Sequence, residues 1–152
     1  MTFRGSVLAW FLLVALVTVA QAAPTDIDGW NGVRWGMTVS AVQARFPSGK
    51  LLLGSMLTVE NVAAAPGVKP GYAVLIFERK DKTLRRVSLM PGTSSDAKPG
   101  KYTAAEVAAI RADLTKRCGG AAMVGDLARW TLPRTAITLT ATSVEYSATT
   151  KK

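Results

Sequence analysis

The strongest constraint on the fold is one helix whose two ends are both marked in the sequence, over residues 103–120. Thr103-Ala-Ala-Glu106 has the spacing of a capping box, in which the threonine oxygen and the glutamate bind each other's exposed backbone N–H groups. Apolar residues then recur on one helical face: Val107, Ile110, Leu114 and Cys118. Gly119-Gly120 ends the segment. The sequence therefore predicts a helix that buries one face against another layer of the protein.

Strand-like segments lie on both sides of this helix and predict that second layer. A shorter helix is expected first, with Thr38 as its N-cap and Pro47 as its stop. The predicted strands are Leu51–Val62, Tyr72–Phe77, Leu84–Met90, Arg129–Leu132, Thr135–Thr142 and one that starts at Val144. The order is α-β-β-β-α-β-β, with a third strand possible in the second half. We expect an α+β fold in which two helices pack on one face of an antiparallel sheet.

Five basic residues cluster around one predicted hairpin turn, at Glu78–Thr83. They are Arg79, Lys80, Lys82, Arg85 and Arg86. Since neighbouring residues of a strand alternate between faces, Arg85 and Arg86 are expected on opposite faces of the sheet. At least one of them then joins the turn residues in a patch suited to phosphate or carboxylate groups. This patch is the candidate ligand-binding site, although charged turns and basic edge strands also serve only to prevent edge-to-edge pairing.

The N-terminal 22 residues have the pattern of a secretory signal peptide. Arg4 is followed by an uncharged apolar stretch from Ser6 to Ala20 and by Ala20-Gln21-Ala22, a pattern that signal peptidase accepts. A membrane-spanning helix is the alternative, but the stretch is short for a bilayer. We expect a signal peptide at 1–22 and a single α+β domain at 23–152, periplasmic or secreted, with no transmembrane segment after cleavage.

The charge and the single cysteine fit such an exported chain. The formal net charge of +9 falls to +8 when Arg4 leaves with the signal peptide. A basic surface favours anionic partners, which outside the cytoplasm are lipid headgroups, wall polymers or acidic proteins; nucleic acid is not expected. Cys118 has no second cysteine to pair with, and its place on the apolar helical face predicts a buried thiol.

The sequence lacks the usual residues of enzyme and metal sites. It has no histidine, and it has no Gly-x-Ser-x-Gly elbow and no phosphate-binding glycine loop. The closest carboxylate pair, Asp26 and Asp28, is expected in a solvated N-terminal stretch rather than in a calcium site. Trp35 and Trp130 are expected in the core, whereas Trp30 fits a core or a ligand groove equally well. We therefore expect no catalytic residue, no metal and no cofactor.

Several short motifs resemble those of small exported bacterial proteins of uncharacterised function, in which a Trp-Gly-Met segment opens the first helix. The matching pieces are Trp35-Gly-Met-Thr38, Phe77 and Leu84 around the hairpin, Leu114 with Gly119, Trp130 with Thr135-x-Ile137-x-Leu139, and Tyr146. The resemblance covers most of the chain beyond residue 23 and implies no activity.

The sequence favours two functions. The first is a non-enzymatic exported binding protein, an envelope accessory or inhibitor-like module, that uses the sheet face or the basic hairpin. The alternative is a peripheral binder of anionic lipid or cell-wall polymer through its basic surface. An enzyme would require carboxylates that converge in one pocket.

Overall fold

The computed structural model describes residues 26–98 and 100–149 of the chain. Within them lie two helices and eight strands: α1 (Val39–Arg45), β1 (Lys50–Leu52), β2 (Met56–Val62), β3 (Gly71–Phe77), β4 (Leu84–Met90), α2 (Ala104–Cys118), β5 (Ala122–Val124), β6 (Leu127–Thr131), β7 (Thr135–Leu139) and β8 (Val144–Ala148). The α+β class is confirmed. The predicted signal peptide lies outside the described residues.

All eight strands form one antiparallel sheet with the order β1-β2-β3-β4-β8-β7-β6-β5. Each half of the chain is therefore a helix followed by four strands that run from one edge of the sheet to its centre. The halves meet where β4 pairs with β8, with Val87 opposite Tyr146 and Leu89 opposite Val144. The duplication is thus α-β-β-β-β twice, with one more strand in each half than the three segments predicted there.

Two short edge strands account for that difference. The segment predicted as one strand, Leu51–Val62, is divided by a turn at residues 53–55 into β1 and β2. β5 was not predicted at all. Every residue of β1 and β5 is exposed, so neither strand has the alternation of buried and exposed side chains by which a sequence reveals a strand.

One face of the sheet carries the core. Leu57, Leu75, Val87, Tyr146 and Ile137 lie on that face of five neighbouring strands, and each is at most 2% exposed. The buried residues of both helices belong to the same apolar cluster: Val42 of α1, and Ile110, Leu114 and Cys118 of α2. Both helices therefore pack on this face, as predicted, and the opposite face of the sheet remains open.

The predicted helix boundaries are confirmed at their caps. Thr38 Oγ1 accepts the Ala41 N–H at 3.4 Å and begins α1. Thr103 and Glu106 form the complete capping box of α2. Gly119 ends α2 with a φ of +82°, a left-handed conformation that glycine adopts without the steric cost of a side chain.

Candidate functional site: a basic groove beside the β3–β4 turn

The β3–β4 turn is held by hydrogen bonds within residues 78–83. The Glu78 N–H donates to the Thr83 carbonyl at 2.8 Å, and the Lys82 N–H donates to the Glu78 carbonyl at 2.9 Å. Asp81 Oδ1 accepts from the Thr83 hydroxyl at 2.6 Å and from the Thr83 N–H at 3.1 Å. These bonds, with the nearby Arg85 guanidinium, lower the pKa of Asp81 below its ordinary value, so Asp81 stays ionised.

A β-bulge at Arg85 changes the expected direction of the arginines. Ile76 lies opposite Arg86, whereas the next residue, Phe77, lies opposite Leu84, so Arg85 is an extra residue in β4. Arg85 and Arg86 are both exposed and line the same groove. The prediction that they point to opposite faces was wrong, because alternation holds only where the register is regular.

This groove has a volume of about 1040 Å³ and is open to solvent on one side. Its cationic residues are Arg79, Lys82, Arg85 and Arg86, and its apolar residues include Leu53, Met56 and Ile76. We call it the basic groove. Four of the five predicted site residues therefore come together in it, and the fifth, Lys80, is exposed on the turn outside it.

The cations of the basic groove differ in their partners. Arg85 is 3.3 Å from Asp81, and Arg86 is 3.6 Å from Glu145 of β8, with both arginine side chains about half exposed. Arg79 and Lys82 form no ion pair within residues 26–98 and 100–149. Glu78 is the one carboxylate among the lining residues. Two positive charges of the groove are thus available to an anion.

The Trp35-Gly-Met-Thr38 segment positions the start of β4 in the basic hairpin, which consists of β3, the turn at residues 78–83 and β4. The Gly36 N–H donates to the Leu84 carbonyl at 3.0 Å, and the Leu84 N–H donates to the Met37 carbonyl at 2.8 Å. Trp35 Nε1 donates to Thr135 Oγ1 of β7 at 2.8 Å. This motif therefore connects the start of α1 to β4 and to the second half of the sheet, which makes its role structural.

A second concave surface, of about 570 Å³, lies between Trp30, the β2–β3 loop and α2. Arg117 and Asp113 line it and are paired at 2.7 Å. Tyr146 also lines it, and burial raises the pKa of its hydroxyl. This cleft was not predicted from the sequence. Its one signal, an acid and a base four residues apart on a helix, is also the pattern of an ordinary surface ion pair.

The remaining candidate residues have structural partners. Asp26 and Asp28 each bind Arg134 at 2.8 Å, so they anchor the lead-in to the β6–β7 turn and are not a free solvated stretch.

The tryptophans differ in how deeply they are buried. Trp130 is 1% exposed and donates to the Gly119 carbonyl. Trp35 is only partly buried, and Trp30 stacks on Phe46 with ring centroids 5.8 Å apart. The core assignment is confirmed fully for Trp130 alone.

Among the described residues, no group of three or more carboxylate or cysteine side chains is placed to hold a metal ion. No described helix has both the length and the apolar character required to span a bilayer. Comparison with known proteins found no matching family model, no matching curated protein and no matching solved structure.

Proposed function

We propose that this chain is an exported, non-enzymatic binding protein, an envelope accessory or inhibitor-like module that binds an anionic group in the basic groove. The observation that carries the proposal is the bulge at Arg85, which brings both arginines of β4 to the same groove as Arg79 and Lys82. Without the extra residue, strand alternation would separate the two arginines.

The charges of the groove fit an anionic ligand. Guanidinium groups bind phosphate and carboxylate oxygens through paired hydrogen bonds, and lysine adds a point charge. The ion pairs of Arg85 and Arg86 are long and half exposed, so exchanging their carboxylate partners for a ligand costs little. The apolar wall beside them favours a ligand that also presents an apolar part.

The experiment is a titration of the folded protein with inorganic pyrophosphate, followed by backbone amide NMR. Residues around the β3–β4 turn are expected to shift first. The Arg79→Glu/Lys82→Glu variant is expected to bind roughly tenfold more weakly, which corresponds to about 1.4 kcal/mol. Neither residue has a carboxylate partner within the described part of the chain, so their replacement orphans no buried charge.

Lys101→Glu/Lys116→Glu is the matched control, because it makes the same change in net charge at exposed positions outside the groove. It is expected to bind pyrophosphate nearly as well as the unaltered protein. Equal weakening by both double variants would mean that net charge alone attracts the anion. That result would contradict a defined site.

A further inference from the structure

We propose that the partner is an anionic lipid bilayer, in which Leu53 inserts at the boundary of headgroups and acyl chains while the basic groove binds lipid phosphates. This inference rests on the proposed function, because it names the partner of the same groove.

The β1–β2 turn places a leucine where turn chemistry disfavours it. The Ser55 N–H donates to the Leu52 carbonyl at 3.2 Å, and the two residues between them have left-handed φ values, +51° for Leu53 and +64° for Gly54. Two consecutive left-handed residues are characteristic of type I′ turns, for which Asn-Gly is strongly preferred. Leucine is a poor choice at the first position, since its side chain strains that conformation.

Burial in the core does not explain why a leucine occupies position 53 either. The residue is 88% exposed, and it follows Leu51 and Leu52, which are 41% and 49% exposed. Three consecutive apolar side chains at one sheet edge therefore contact water in the isolated protein. A position that serves neither the turn nor the core is best explained by an interaction outside the chain.

Leu53 lies on the same surface as the cations. It lines the basic groove with Arg79, Lys82, Arg85 and Arg86. The Ser55 carbonyl accepts the Phe77 N–H at 2.9 Å. This hydrogen bond holds the β1–β2 turn against the start of the β3–β4 turn. An apolar tip next to cations matches the two layers of an anionic membrane surface, acyl chains below and phosphates above.

A bilayer suits this tip better than a rigid protein surface does. A side chain that projects from a turn lacks the surrounding ring of contacts that excludes water at a protein–protein contact. Acyl chains are fluid and close around a single projecting side chain, whereas the flanking arginines extend along their stems to the headgroups.

The test uses Leu53→Asn, which supplies the residue that the turn prefers. Binding is measured by co-sedimentation with vesicles of phosphatidylglycerol and phosphatidylcholine, and with vesicles of phosphatidylcholine alone. The unaltered protein is expected to bind only the anionic vesicles. Leu53→Asn is expected to bind them about tenfold more weakly, since the insertion of one leucine side chain is lost. Its thermal midpoint is expected to stay equal or to rise, which excludes misfolding as the cause.

Val124→Thr is the control, because Val124 is also exposed, at 69%, but lies in β5 at the opposite edge of the sheet. It is expected to bind the anionic vesicles like the unaltered protein. Equal vesicle binding by Leu53→Asn and the unaltered protein would overturn the lipid inference.

The pyrophosphate titration distinguishes a failure of the lipid inference from a failure of the proposed function. Leu53→Asn is expected to bind pyrophosphate normally, because it keeps the cations of the groove. If Leu53→Asn binds anionic vesicles as well as the unaltered protein does, while pyrophosphate binding still depends on Arg79 and Lys82, the lipid inference is wrong and the anion site is retained. If pyrophosphate binding does not depend on Arg79 and Lys82, the proposed function itself fails.

Discussion

At the scale of single residues, one buried hydroxyl joins parts of the chain that are distant in sequence. Thr135 is fully buried, and its hydroxyl accepts the Trp35 Nε1–H and donates to the Ile27 carbonyl. One hydroxyl thus connects the lead-in, the Trp-Gly-Met-Thr segment and β7. No signal in the sequence marked Thr135 for this role, because its partners lie about 100 residues away.

Replacing Thr135 with valine is expected to destabilise the protein by about 1–3 kcal/mol, because valine keeps the shape but leaves two polar partners unsatisfied. Chemical denaturation monitored by circular dichroism measures the loss. Ala136→Val is the control, because Ala136 is a half-buried neighbour on the open face of the sheet. It is expected to change the free energy of unfolding little. A Thr135→Val variant as stable as the unaltered protein would contradict the assigned hydrogen bonds.

Cys118 is 4% exposed, and burial raises the pKa of its thiol, so little reactive thiolate is accessible near neutral pH. The folded protein is expected to react slowly with a thiol reagent and to react rapidly in denaturant. Rates of absorbance change with the reagent provide the measurement. Labelling of the folded protein at the rate of the denatured one would show that the thiol is accessible.

At the scale of elements, α2 depends on its capping box. Thr103→Ala removes the side chain that accepts the Glu106 N–H at 3.2 Å and is expected to cost about 1 kcal/mol. The free energy of unfolding from urea titration provides the measurement. An unchanged unfolding midpoint would argue against Thr103 as the start of α2.

The same capping box makes the free energy of unfolding depend on pH. The Thr103 backbone N–H and hydroxyl donate to Glu106 and lower the pKa of its carboxyl below the ordinary value of 4.5. A carboxyl with a lowered pKa stabilises the fold fully above that ordinary value, and the contribution is lost as the pH falls through the lower folded-state pKa. Glu106→Gln is expected to lose less stability between neutral pH and pH 3 than the unaltered protein. An identical acid profile for both would contradict this role.

The basic hairpin shows how much of the candidate site was accessible from sequence. The turn and its five cations are local features, and the prediction placed them correctly around Asp81. The bulge at Arg85 was not predicted, because it depends on how β3 and β4 align over their whole length. That alignment, rather than composition, decides that both arginines line one groove.

At the scale of the whole molecule, two similar halves share one sheet and one core. Their seam is the β4–β8 pair, where Leu89 is 1% exposed and lies opposite Val144. Because the core is continuous across the seam, we expect the halves to unfold together.

Leu89→Ala is expected to destabilise the whole protein by about 2–5 kcal/mol, through lost apolar burial and the cavity it leaves. The unfolding curve is expected to remain a single transition, with the same midpoint by tryptophan fluorescence and by circular dichroism. Two separate transitions would show that the halves are independent units. Leu51→Ala, at the exposed edge strand β1, is the control for a leucine outside the seam.

The sequence by itself determined the features that depend on neighbouring residues: the capping box at Thr103, the end of α2 at Gly119, the turn around Asp81 and the burial of Cys118 on its helical face. The caps and the turn are stabilised within one or two turns of chain, and the spacing of apolar residues shows which face of α2 is buried, so a local pattern is sufficient. Only the tertiary structure decided the seam between β4 and β8, the clamp of Asp26 and Asp28 on Arg134, and the meeting of Leu53 with the cations of the basic groove. These contacts join residues far apart in sequence, and they form only because burying a common apolar face aligns the strands that carry them.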